Sequence, residues 1–230
     1  MTPPPVHLTY TFAGQREYCL SLGDAAATQR ILIIPPLFDE MNRVRRMLLE
    51  AMRVLAMRGS SSLLPDLPGC NESSADMSVQ TVASWQEAMA AAASELNATH
   101  VASLRGGALI DGAIDLPHWR LAPVKGSSLL KTMLRTRIAA DKEAGKATTA
   151  EQLMAEARTS PIELSGYLLG HVMLDSLDKA EPVVLADARE VALSDIDGSP
   201  LWLRAEPGDD PTMSAGLAAA LDSWSATCGG

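Results

Sequence analysis

Arg30-Ile31-Leu32-Ile33-Ile34 holds four consecutive apolar residues and is closed by Pro35-Pro36. A half-buried strand alternates apolar and polar residues, whereas a strand apolar at every position has to be covered on both faces. Helices must then lie on each side of the sheet that contains it, which is the parallel α/β solution. The following residues supply one cover. Val44, Met47, Leu48, Ala51, Met52 and Leu55 repeat at helical spacing, and Gly59 reads as the C-terminal cap. Ser61 to Leu64 predicts a short strand. Val79 to Leu96 predicts a helix with Val82, Trp85, Met89 and Ala93 on one stripe, and Thr99 to Leu104 another strand. Gly106-Gly107 leads into Ala108-Leu109-Ile110, a helical start, and Trp119 to Val124 predicts the next strand. Strand and helix in alternation imply a mostly parallel, doubly wound sheet.

The ends and the middle depart from that rhythm. Val6 to Phe12, a turn at Ala13-Gly14, and Arg16 to Leu22 read as a β-hairpin. In residues 125–180, Leu129, Leu130, Met133, Leu134 and Ile138 mark a helix whose other face carries Lys131, Arg135, Arg137 and Lys142. A second helix is predicted near Glu151 to Arg158, stopped by Pro161, and a third from Leu168 to Leu177. Strands are expected again at Pro182 to Asp187 and Pro200 to Arg204, and a last helix carries Leu217, Leu221 and Trp224. The whole, residues 1–230, reads as one domain with a helical insertion at 125–178.

Composition narrows the function classes. The 230 residues carry 19 Lys+Arg against 28 Asp+Glu, a formal charge of -9, which argues against nucleic-acid binding by bulk electrostatics. Hydrophobic residues reach 47% but aromatics only 4%, so a core is affordable and a stacking platform for bases or sugars is not. Three widely spaced cysteines, Cys19, Cys70 and Cys228, fit a reducing compartment rather than a disulfide framework or a metal cluster. Met1 to Pro5 lacks the basic start and apolar run of a signal peptide, and no apolar stretch approaches the ~20 residues of a spanning helix. A cytoplasmic protein without membrane span, metal or cofactor is expected.

Several segments resemble a known family. Pro65-Asp66-Leu67-Pro68-Gly69-Cys70-Asn71-Glu72-Ser73 is similar to the loop after the fourth strand of α/β-hydrolases, and Ser103-Leu104-Arg105-Gly106-Gly107 stands where that fold has its G-x-S-x-G nucleophile elbow. More narrowly, Pro35-Pro36-Leu37-Phe38-Asp39-Glu40-Met41-Asn42-Arg43-Val44-Arg45-Arg46 resembles the P-P-F-x-E-E-M-N-x-x-R-R segment of the exosortase A system-associated hydrolases. Leu129 to Ala140 resembles their insertion helix, and Ile162 to Tyr167 their E-V-A-G-Y-x-L segment. The likeness covers roughly residues 30–180. It implies an α/β-hydrolase fold with a helical lid and a setting beside bacterial exosortase and exopolysaccharide genes.

The residues at the implied site depart from a working hydrolase. The elbow tip is Arg105, which is always charged and is no ordinary nucleophile. Backbone N–H groups of Leu37 and Gly106 are the candidate oxyanion donors, and Asp187 the candidate acid. A general-base histidine is expected near Trp202 to Asp210, where the chain has none; its histidines are His7, His100, His118 and His171. An arginine at such a tip, beside a helix N-terminus, suits a carboxylate or phosphate. Glu40, Asn42 and Ser103 are the candidate neighbours of that ligand. In the other reading, Arg105 pairs with Glu40, Glu206 or Asp187 and plugs an old active site. Cys70 is either a rim thiolate or an inert thiol. Three functions remain open: a degenerate hydrolase binding a small anionic or acyl-type ligand; an active hydrolase or acyltransferase using Ser103, Ser127 or Ser128; and a scaffold docking a partner protein of the same locus through the lid.

Overall fold

The computed structural model describes residues 4–204 and 206–228. Seven strands form one sheet: β1 (Val6–Phe12), β2 (Gln15–Leu22), β3 (Arg30–Ile34), β4 (Ser61–Pro65), β5 (His100–Leu104), β6 (His118–Leu121) and β9 (Arg189–Val191). Their order is β1-β2-β4-β3-β5-β6-β9. The β1–β2 hairpin joins β4 antiparallel, and every pairing from β4 to β9 is parallel. Ala13 and Gly14, with φ of 49° and 77°, make the left-handed two-residue turn that matches strand twist.

β3 sits at the centre and is covered as its sequence requires. Ile31 and Ile33 face a cluster built with α1 (Asp39–Met57) and α6 (Pro211–Thr227), while Leu32 and Ile34 face one built with α2 (Val82–Glu95). The same α2 layer includes α3 (Gly126–Glu143), α4 (Ala150–Ala157), α5 (His171–Lys179) and a small hairpin, β7 (Ile162–Leu164) with β8 (Tyr167–Leu169). All of these lie between β6 and β9 in the chain. Gly59, at φ 94°, ends the α1 turn as its C-terminal glycine.

Three expectations are corrected. Pro182 to Asp187 is not a strand: Val184 is 95% exposed, and the slot beside β6 is taken by Arg189–Val191, whose Val191 packs into the apolar layer. Pro200 to Arg204 is not a strand either. Leu201–Leu203 is a single 3-10 turn, because Leu201 and Trp202 are buried in the same cluster and a strand would send neighbours to opposite faces. After the elbow comes a five-residue 3-10 turn, Arg105–Leu109, instead of an α-helix. Gly106-Gly107 is a poor helix start, and Asp111 is tied back to the sheet before a second turn can form.

Candidate functional site

β5 ends at Leu104, and the next residue turns sharply: Arg105 has φ 54°, a conformation that costs an L side chain energy and marks a strand-to-turn hinge. The flanks must be small for this hinge to form. A Cβ on Gly107 would stand 2.6 Å from the Ile34 carbonyl oxygen and 2.7 Å from that of Pro35. A Cβ on Gly106 would meet Leu129 Cδ1 at 2.6 Å.

The hinge aims the Arg105 guanidinium into a cavity of about 190 Å3 at the C-terminal edge of the sheet. Its Nε and Nη2 donate to Glu40 Oε2 and Oε1, at 3.3 and 3.1 Å. Trp202 covers the guanidinium, with Cζ 5.2 Å from the ring centroid. The partner of Arg105 is therefore Glu40, not Glu206 or Asp187. Burial pushes the Glu40 carboxyl above its ordinary range and outweighs the pull of Arg105. The first turn of α1 also supplies Asp39 and Arg43. Arg43 donates to Asp39 Oδ2 at 2.6 Å and to the Trp202 carbonyl at 2.8 Å, which holds the 3-10 turn against the cavity. Phe38 enters α1 at φ 58° and ψ -137°, a second strained backbone at the same rim. Leu37, Phe38, Leu129, Met133 and Leu203 complete an apolar wall, with Ser128 and Thr132 as neutral polar groups.

Several expected site residues are elsewhere. Asn42 is exposed on α1 and does not line the cavity. Asp187 lies in an exposed turn that precedes β9, at the end of the sheet opposite the elbow, so it holds no strand-end acid position. Ser103 is fully buried, and its hydroxyl donates to Asp111 Oδ2 at 2.7 Å, away from the cavity. Leu37 lines the cavity and its side chain packs on Gly106. Ser128 reaches the cavity; Ser127 lines a separate groove on α3 with Lys131 and Arg135. The Cys70 thiol is pushed up to about 12 by burial and by the nearby Asp66 and Glu17, which makes it a poor thiolate. None of the four histidines lines the cavity.

A second ionic cluster, absent from the sequence reading, lies beside the elbow. Asp111, wholly buried, receives Arg120 Nε at 2.9 Å and Nη2 at 2.6 Å in addition to the Ser103 hydroxyl. His118 Nε2 donates to the Ile114 carbonyl at 2.8 Å, and its Nδ1 stands 3.5 Å from Asp111 Oδ2. Burial alone would raise the Asp111 carboxyl; the adjacent His118 ring and the hydrogen bonds from Arg120 and Ser103 outweigh it and hold the group below its usual value. Arg120 also donates to the Val183 carbonyl at 2.7 Å, which ties down the chain entering β9. An arginine between Trp119 and Leu121 in an apolar strand demands a buried carboxylate, and that was the available signal.

Among the described residues no helix is long and apolar enough to cross a membrane, and no group of three His, Cys, Asp or Glu side chains could hold a metal ion. The strand order, the helices on both faces and the elbow hinge are those of the α/β-hydrolase fold. No family profile and no curated protein matches the chain. Similar solved structures include an epoxide hydrolase of Vigna radiata, at 17% identity and TM-score 0.42 over 53% of this chain and 40% of that one. Epoxide hydrolase A of Mycobacterium thermoresistibile matches at 15% identity and TM-score 0.45, over 67% of this chain and 49% of that one. A candidate hydrolase of Agrobacterium vitis S4 matches at 13% identity and TM-score 0.48, over 96% and 98%. The chain thus spans less than half the length of these two epoxide hydrolases.

Proposed function

We propose that this α/β-hydrolase-fold protein binds a small anionic or acyl-type ligand in the Arg105 cavity and does so without a hydrolytic triad. One observation carries the reading: the strained apex of the elbow presents a guanidinium, already oriented by Glu40 and Trp202, to an open pocket. A fixed cation at that place binds negative charge and has no means of attacking a carbonyl. The resemblance of Pro35 to Arg46 and of Leu129 to Ala140 to exosortase A system-associated hydrolases supports a role in an exosortase or exopolysaccharide locus. Residues 125–178 act as the lid, since α3 contributes Ser128, Leu129, Thr132 and Met133 to the pocket wall.

Two measurements test this. A screen with short p-nitrophenyl esters and a fluorophosphonate probe should give neither turnover nor labelling. Anions that raise the melting temperature of the native chain should lose that effect in Arg105→Ala. The rival reading of an active hydrolase or acyltransferase has Ser128 as its one serine at the cavity, and clean labelling of that residue would establish it. The scaffold reading predicts that association through Lys131 and Arg135 survives Arg105→Ala.

A further inference from the structure

Resting on that ligand-site reading, we infer that the occupant is a monoanionic carboxylate with a short apolar tail, and that phosphate is excluded.

The donor geometry is the first reason. Guanidinium offers two forks, one along Nε and Nη2 and one across its two terminal nitrogens. Glu40 occupies the first. Arg105 Nη1 makes no hydrogen bond among the described residues and is not sealed from the cavity. The terminal fork is therefore open, and its two parallel N–H groups match the two oxygens of one carboxylate. Trp202 covers one face of the guanidinium, so a ligand approaches in the plane of the fork.

Charge is the second. Four ionic side chains line the cavity, Asp39, Glu40, Arg43 and Arg105, and they sum to zero. Arg43 is spent on Asp39 and the Trp202 carbonyl, which leaves one fork for a ligand. A single negative charge meets that fork. A phosphate dianion brings a second charge toward Glu40 and Asp39 with no further cation to meet it, in surroundings where unpaired charge is costly.

Size is the third. At about 30 Å3 for each water-sized group, 190 Å3 holds about six heavy atoms. Three belong to the carboxylate, which leaves room for about three more carbons. Leu129, Met133 and Leu203 supply the apolar contacts for them.

The test is calorimetric titration and thermal shift of the full chain at fixed ionic strength and neutral pH, with acetate, butyrate, decanoate and inorganic phosphate. Saturable stabilisation by butyrate, weaker with acetate and no stronger with decanoate, whose added carbons find no further wall, with no effect of phosphate, is the expected pattern. Arg105→Lys, which keeps the charge and removes the fork, should weaken butyrate at least tenfold while the chain stays folded. Phosphate binding more tightly than butyrate overturns the carboxylate assignment and leaves an anion site in place. An unchanged butyrate affinity in Arg105→Lys overturns the fork argument. No stabilisation by any of the four probes overturns both the assignment and the ligand-site reading.

Discussion

Arg105 and Arg120 each grip a carboxylate at two points, and they end in opposite situations. Arg120 stands in β6 directly across from Ser103 and gives its donors to Asp111 and the Val183 carbonyl, 1% exposed. Arg105, two residues past Ser103, pairs with Glu40 and still shows a terminal nitrogen to a cavity. The pair chemistry is the same. What differs is whether donors are left over once the protein's own acceptors are counted. A sealed arginine with its partners in place is architecture, because any ligand would have to break a buried ion pair. A half-open arginine is already oriented, so a ligand meets it without the cost of ordering a long side chain.

The contrast yields predictions of graded size. Asp111→Ala strands Arg120 without its carboxylate inside the sheet, and removal of one partner from a buried pair costs about 3–5 kcal/mol. Urea unfolding should show that loss; a change below about 1 kcal/mol would make the cluster no more than surface-like. Arg105→Ala leaves Glu40 without its partner, but the site opens to the cavity and solvent can relax into it. A loss of about 1 kcal/mol is expected there, together with loss of ligand-induced stabilisation. A loss as large as that of Asp111→Ala would recast Arg105 as a plug.

The two carboxylates should also answer pH with opposite signs. Asp111 is held below its ordinary 3.8, so its stabilisation is present above that value and is lost as pH falls through the depressed one. Glu40 is raised above its ordinary 4.5, so the folded state binds its proton more tightly than the unfolded chain does. That contribution is lost as pH rises through the raised value. In urea midpoints followed across pH, Glu40→Gln should flatten the fall just above 4.5, and Asp111→Asn the fall below 3.8. The smallest effect belongs to Asn42→Ala. Asn42 is exposed and lies off the cavity, so stability should change by no more than about 0.5 kcal/mol and butyrate affinity not at all.

Local patterning made much of the scaffold legible. The unbroken apolar run of β3 required cover on two faces, and the α1 spacing supplied one of them. Gly106-Gly107 marked the hinge that Arg105 occupies, since the Ile34 and Pro35 carbonyls crowd Gly107 and the Leu129 and Leu37 side chains crowd Gly106. Glu40 was within reach because it lies in the first turn of the helix after β3. Asp187 failed for a definite reason: Pro182 to Leu185 has strand composition, but pairing belongs to whichever segment fits beside β6, and Arg189–Val191 fits. Trp202 was placed by burial beside its neighbour Leu201, which period-2 alternation forbids in a strand.

Periodicity and small-residue spacing act over a few residues, so the chain alone determined the central strand, the flanking helices and the apex that carries Arg105. Which acceptors each arginine would find lay beyond it. Glu40 is 65 positions from Arg105, and the Val183 carbonyl 63 from Arg120. Such pairings exist only once strand order and the path of the chain between β6 and β9 bring distant segments within about 3.3 Å, and hydrogen-bond free energy depends on that final distance and on the water it excludes. The number of donors left facing the cavity was decided there.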